Sequence, residues 1–131
     1  MLSLPQMTSV GEEGLTNLQT AAIILDVMDN LFQDIPAELP KELIEVIAGS
    51  DCVRIERIVS RGQASEAGFW FDQNTTEFVV LLAGQARLQF QTRAEPVTLL
   101  PGDYLTIAPG EKHRVTWTHP EAETVWLAVH Y

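Results

Sequence analysis

The feature that most constrains the fold is a series of short segments after Asp51 in which apolar and polar residues alternate. Ala86, Leu88 and Phe90 alternate with polar residues, as on a strand with one buried and one solvated face. Turn residues such as Gly84 separate the segments. The candidate strands are 53–59, 68–71, 77–82, 86–92, 97–100, 104–108, 113–118 and 124–130. Such a succession of short strands predicts an all-β sandwich or barrel.

The chain divides into three predicted regions. Its 131 residues fit a single domain. Residues 1–19 show no sustained hydrophobic period and are predicted to be a flexible tail. Residues 20–50 contain apolar clusters and two prolines, which favour a short N-terminal helical arm. Residues 51–131 form the predicted barrel.

Within the arm, one helix is predicted near its C-terminal end. Pro40 suits a first helical position because its φ is preset, and Gly49 is a suitable stop. Leu43, Ile44 and Ile47 would share one face. The pattern therefore predicts a helix of about three turns that packs on the barrel.

The charge balance excludes two classes of partner. Eighteen acidic residues against eight basic ones give a net charge of −10, and no cluster of Lys and Arg interrupts it. Such a chain is repelled by phosphate backbones and by anionic membrane surfaces. We expect no nucleic-acid or membrane partner, and a small molecule is the expected ligand.

Cysteine use and the N-terminal sequence favour a cytoplasmic location. Cys52 is the only cysteine, so it cannot form an intramolecular disulfide. The first basic residue is Lys41, so the basic start of a secretory signal is missing. The longest apolar run, residues 78–83, is far shorter than the roughly 20 residues of a membrane span.

Common catalytic motifs are missing from the sequence, and one spacing pattern is present. The nucleophile elbow, the phosphate-binding glycine loops, the HExxH helix and the CxxC pair do not occur. Glu77 is followed after six residues by Gly84, and a Pro-Gly-Asp corner at Gly102 precedes a Pro-Gly turn at Gly110 and then His113.

These residues resemble the two motifs of the cupin family. Glu77 and Gly84 match the end of the first motif, and the stretch from Gly102 to His113 matches the second. Segments 57–60, 68–73 and 113–115 resemble small bacterial cupins labelled phosphomannose-isomerase-like. The resemblance implies a jelly-roll barrel, or double-stranded β-helix, with an isomerase-like or metal-dependent activity. It also implies a homodimer, because small cupins commonly pair.

The sequence departs from the family at two metal ligands. The two histidines of the first cupin motif are replaced by Phe71 and Gln73, which strand parity places on one face with Glu77. The resemblance then implies a weak site for Zn, Fe, Mn or Ni at Gln73, Glu77 and His113. Asp72 or His130 are the further candidate ligands.

Two other interpretations of Glu77 and His113 need no metal. The two side chains could form a hydrogen-bonded structural pair that satisfies their buried polarity. They could also act as a catalytic proton-transfer couple in an isomerisation or epimerisation, because a neighbouring carboxylate raises the pKa of a histidine.

Further residues are candidates for lining the pocket. Arg57 is in phase with apolar residues and could grip a carboxylate or phosphate inside the barrel, or form a salt bridge with a nearby acid. Trp70, Phe71 and Trp117 could stack on a ligand or pack in the core. Either face of 124–130 could point inward, and one of them would bring His130 into the cavity.

The sequence thus predicts a cytoplasmic, dimeric cupin barrel that binds or converts a small, sugar-like molecule at an atypical site. The competing hypothesis is a metal-free cupin that only binds a ligand or has a structural role.

Overall fold

The structure of the chain is a computed structural model that describes residues 28–131. The predicted tail over 1–19 and the first part of the helical arm lie outside the described residues. Within the described part, the secondary structure consists of eight strands: β1 (Leu43–Gly49), β2 (Arg54–Ser60), β3 (Glu77–Ala83), β4 (Ala86–Phe90), β5 (Val97–Leu99), β6 (Tyr104–Ile107), β7 (His113–Thr118) and β8 (Thr124–His130).

The strands form two antiparallel sheets within one compact unit, Ile35–Tyr131. The larger sheet has the order β1-β2-β8-β3-β6, and the smaller has the order β5-β4-β7. Both sheets contribute buried apolar side chains to a single core, including Leu81 and Trp126 from the larger and Leu88 and Leu99 from the smaller. The predicted all-β barrel is therefore confirmed.

Seven of the eight predicted strands are present, at nearly the predicted bounds. The exception is 68–71, where only Phe71 is paired, by an isolated bridge to His113. The backbone N–H of Phe71 donates to the carbonyl of His113 at 2.7 Å. This bridge fixes Phe71 beside the first residue of β7.

The helix predicted after Pro40 is wrong, because Leu43–Gly49 is strand β1. β1 pairs antiparallel with β2, with a bulge between Val46 and Ala48. The spacing of apolar residues fits a helix, but the β-branched side chains of Ile44, Val46 and Ile47 also fit the edge of an available sheet. No helix in residues 28–131 is long and apolar enough to cross a membrane.

The glycine of the first cupin motif closes the turn between β3 and β4. Gly84 has a φ of 84°. A Cβ at this position would lie 2.4 Å from Oγ1 of Thr124 and 2.6 Å from the carbonyl oxygen of Glu123. Glycine is thus required both by the left-handed backbone and by the close approach of β8.

β1 gives the expected homodimer a surface on which it can be tested. β1 is an edge strand, and its Val46 side chain is 61% exposed. If copies pair through this edge, V46E is expected to halve the mass measured by light scattering to the 14.6 kDa of one chain. L100E, at another exposed apolar residue, is the control. An equal mass for V46E and the natural chain would contradict pairing through β1.

Candidate functional site

A cavity of about 540 Å³ lies on the inner faces of the strands. This volume is in the range of small-molecule sites. Its wall is largely apolar and comes from both sheets and from the segment before β3: Ile44, Ile58, Phe69, Phe71, Val79, Leu88, Ile107, Val115 and Trp126. The core therefore continues into a hollow large enough to hold a ligand.

The polar part of the cavity wall is acidic. Four carboxylates face a single guanidinium and two imidazoles among the described lining residues: Glu42, Glu56, Glu66, Glu77, Arg54, His113 and His130. Burial raises the pKa of the Glu42 carboxyl; the hydrogen bond from Ser60 opposes this, and the negative charge of Glu56 adds to it. Like charges thus already crowd one side of this cavity.

His113 and Glu77 meet inside the cavity, as their predicted roles require. His113 begins β7 and Glu77 begins β3, and both side chains are buried. The Nε2 atom of His113 lies 3.4 Å from Oε1 of Glu77. Its Nδ1 atom lies 2.9 Å from the carbonyl oxygen of Glu111, which can only accept a hydrogen bond, so Nδ1 carries a proton. The ring is therefore held at both nitrogens.

The surroundings of His113 favour its protonated form. Burial alone would lower the pKa of the ring, but the hydrogen bonds to Glu77 and to the Glu111 carbonyl outweigh it, and the pKa of His113 is raised. The Phe71 ring stacks on the imidazole with centroids 5.6 Å apart and an interplanar angle of 24°. An aromatic face also favours a cation above it. These surroundings therefore stabilise the imidazolium form of His113.

Gln73 completes this group without adding a charge. Its Nε2 atom donates to Oε1 of Glu77 at 3.3 Å, the oxygen that also faces His113. The amide therefore orients the carboxylate toward the imidazole. The predicted trio of Gln73, Glu77 and His113 is brought together in the structure.

A second histidine–carboxylate pair lies in the same cavity. The inner set on β8 is Trp126, Ala128 and His130, all buried. The Nε2 atom of His130 lies 2.7 Å from Oε1 of Glu56 on β2. His130 also faces Glu77 across the β3–β8 register. Of the two orientations that the sequence left open, the structure has the one that brings His130 into the cavity.

The donors at this site do not fit a divalent metal. Among residues 28–131, no group of three or more His, Cys, Asp or Glu side chains is arranged to hold a metal ion. Gln73 turns its amide nitrogen toward Glu77, and the Phe71 ring covers one side of the His113 imidazole. A first-row metal needs three or four well-placed donors. Among the described residues, Glu77 and His113 are the two donors that remain at this point, which is fewer than such a metal needs.

Four of the predicted pocket residues do not line the cavity. Arg57 lies on the face of β2 that points away from the cavity, where its Nε donates to Oε1 of Glu45 on β1 at 3.0 Å. It does share a face with Ile55 and Val59, as predicted, but that face is the outer one. Asp72 is exposed. Trp70 contacts the Arg114 guanidinium, and Trp117 contacts that of Arg87 on the smaller sheet.

The β2 residues that do line the cavity were not among the predicted pocket residues. Arg54, Glu56 and Ile58 form the inner row. The two-residue spacing of these residues is visible in the sequence, but the opposite row, with Ile55 and Val59, is more apolar and therefore favours the wrong face as the inner one. That row is also buried, at Arg57 and Val59, although it does not line the cavity.

The chain belongs to the cupin family. A family model described as a cupin domain matches residues 58–130. The matched range includes Glu77, His113 and His130 of the two histidine–carboxylate pairs, and Glu56 lies just before it. The search of the curated proteins found no match.

Solved structures support the same assignment. The "putative mannose-6-phosphate isomerase" of Ralstonia eutropha JMP134 is 40% identical, with a TM-score of 0.77 over 79% of this chain and 95% of that protein. A cupin superfamily protein of Desulfitobacterium hafniense DCB-2 is 20% identical, with a TM-score of 0.60 over 73% of this chain and 82% of its own. The RmlC-like cupin of Methanocaldococcus jannaschii is 15% identical, with a TM-score of 0.58 over 74% and 85%. The last two are similar in fold alone.

Proposed function

We propose that this cupin binds a small organic molecule in its cavity and catalyses an isomerase-type proton transfer on it with His113 and Glu77. The observation that carries the proposal is the imidazole held at both nitrogens, by Glu77 and by the Glu111 carbonyl. A general acid or base must be fixed in position and must titrate near the working pH. We also infer a cytoplasmic location, which the single thiol of Cys52 favours.

The proposed step is an enolisation and its reversal. The neutral form of His113 takes a proton at Nε2 from the carbon beside a carbonyl group, and the electron pair of the broken C–H bond forms the enolate. Glu77 stabilises the resulting imidazolium across the 3.4 Å contact. The hydroxyl proton of the neighbouring carbon passes to the enolate oxygen, and the carbonyl group forms anew at that carbon. The imidazolium then delivers its proton, which exchanges with solvent while it is held on the ring, to the former carbonyl carbon, so substrate and product have the same composition. Stabilising the imidazolium is how a carboxylate assists a histidine base.

The relative from Ralstonia eutropha supports this class of reaction by its name. An isomerase that interconverts an aldose and a ketose moves a proton between adjacent carbons, which is the step derived above. The relative covers 79% of this chain at 40% identity. The relative's name supports the reaction type alone, and we propose no phosphate on the substrate of this chain.

The proposal can be tested before the substrate is known. The protein is incubated in heavy water with a panel of aldoses, ketoses and hydroxyketones, and deuterium bound to carbon is measured by mass spectrometry. We expect one group of compounds to gain deuterium, and H113Q and E77Q each to lower the rate about 100-fold or more. D72N, at an exposed residue outside the cavity, should leave the rate unchanged.

Two results would overturn the proposal. A rate that is equal in H113Q and in the natural chain would show that another group moves the proton. Compounds that bind in the cavity without gaining deuterium would instead favour the metal-free, ligand-binding cupin that the sequence also allowed.

A further inference from the structure

We propose that the ligand of the cavity is an organic cation, a small molecule carrying an ammonium group beside a hydroxyl or carbonyl oxygen, and that phosphate esters are excluded. This inference deepens the proposed function and rests on it, since it concerns the substrate of the same site. It also separates this chain from the sugar phosphate named for the Ralstonia eutropha relative.

The ionisable side chains of the cavity wall are mostly acidic. Glu42, Glu56, Glu66 and Glu77 line it, and Arg54 is the only Lys or Arg among the described lining residues. Arg54 is itself engaged, because its Nε lies 3.3 Å from Oε2 of Glu56 and its side chain is 52% exposed. Even a fully protonated His113 leaves the wall with more negative than positive charge. A phosphate would meet repulsion here, and an ammonium group would be attracted.

Two buried polar groups supply an independent observation. Trp126 and His130 lie on the inner row of β8, line the cavity and are 4% and 5% exposed. The Nε1 atom of Trp126 and the Nδ1 atom of His130 have no hydrogen-bond partner among the described residues. Buried polar atoms are nearly always paired, so each marks a hydrogen bond that the described residues leave unmade at the cavity wall. The indole N–H can only donate, which calls for an oxygen acceptor such as a hydroxyl or carbonyl.

The aromatic residues fit the same ligand. Phe69 and Phe71 both line the cavity and stand edge to face, with centroids 4.9 Å apart. Phe69 is 48% exposed, so part of its ring is open to solvent. Aromatic faces attract ammonium groups through their quadrupole and have no such affinity for phosphate. Carboxylates, aromatic faces and an indole donor together describe an amine-bearing polar compound.

The experiment compares ligands that share one scaffold and differ in charge. Binding of glucosamine, glucose and glucose 6-phosphate, and of benzylamine, benzyl alcohol and benzyl phosphate, is measured by isothermal titration calorimetry on the full chain. We expect at least one amine to bind about 10-fold or more tightly than its neutral counterpart, and both phosphates to bind more weakly than their neutral counterparts.

A charge-reversal variant and its control sharpen the result. Glu66 lines the cavity but is exposed, so E66K should leave the core intact while weakening amine binding about 10-fold. E121K changes the net charge equally at an exposed turn residue outside the cavity and should leave binding within about 2-fold of the natural chain.

The outcomes separate this inference from the proposed function. A phosphate that binds as well as its amine, or amines that bind no better than neutral compounds or not at all, would overturn the cation inference. Deuterium exchange on neutral sugars could still occur in that case. Amines that bind but never exchange deuterium would overturn the proton transfer and leave the cation site standing.

Discussion

The double variant F71H/Q73H is expected to bind divalent first-row metals about 100-fold or more tightly than the natural chain. Gln73 already contacts Glu77, and Phe71 already stacks on His113. Two imidazoles at these positions would join the existing carboxylate and imidazole in a four-donor set on one wall of the cavity. Among residues 28–131, the natural chain offers two ionisable donors at this point, Glu77 and His113, which is the physical reason for the difference.

Cobalt is a suitable probe because its visible absorption reports the coordination geometry as well as occupancy. Calorimetry would give the affinity of F71H/Q73H, and each single variant, F71H or Q73H, should lie between the double variant and the natural chain. Adding H113A to the double variant should abolish most of the gain. These controls separate a designed site from cobalt bound by exposed carboxylates.

An unchanged cobalt affinity in a folded double variant would contradict the alignment of residues 71–77 with the first cupin motif. The backbone supports that alignment. The bridge from Phe71 to His113 brings the two motifs together, and the Gly110 N–H donates to the Gln73 carbonyl at 2.7 Å. The two motifs are therefore joined at both replaced positions.

Strand parity made most of the barrel predictable. The alternation of Ala86, Leu88 and Phe90 identified β4 and its buried face, and all three side chains are buried. The same rule failed to identify β1, because Leu43, Ile44 and Ile47 also fit a helical face and an edge strand gives a weak pattern. Whether Leu43–Gly49 forms a helix or a strand depends on its pairing with β2. The spacing of apolar residues within one segment carries no information on such a contact between two segments.

The candidate site was predictable to the extent that its residues share a strand or a motif. Gln73, Glu77 and His113 were found because they occupy motif positions. His130 was left with two orientations, because the rows of β8 are both apolar, and only the position of β8 between β2 and β3 decides between them. Glu56 was missed as a partner of His130, since 74 positions separate them and the pairing arises from the β2–β8 register.

Removing the carboxylate of Glu77 is expected to change both the stability and the titration of His113. E77A leaves the His113 Nε2 atom without its buried partner, which should lower the free energy of unfolding by about 1 to 3 kcal/mol. It should also lower the pKa of His113, because the hydrogen bond and charge that oppose burial are lost. NMR titration of the ring protons and denaturant unfolding measure the two effects.

The loss of stability should depend on pH in a defined direction. The pKa of His113 is raised in the folded chain above the ordinary histidine value of 6.5. The charged pair therefore contributes fully below the unfolded pKa, and its contribution is lost as the pH rises through the folded pKa. E77A should thus cost more stability at about pH 5.5 than at about pH 9.

The control variant E56Q removes a carboxylate from the same cavity that does not contact His113, so the pKa of the His113 ring should stay raised. A melting temperature and a His113 titration that E77A leaves unchanged would show that the two groups are solvated and uncoupled, which would remove the basis for their joint role in proton transfer.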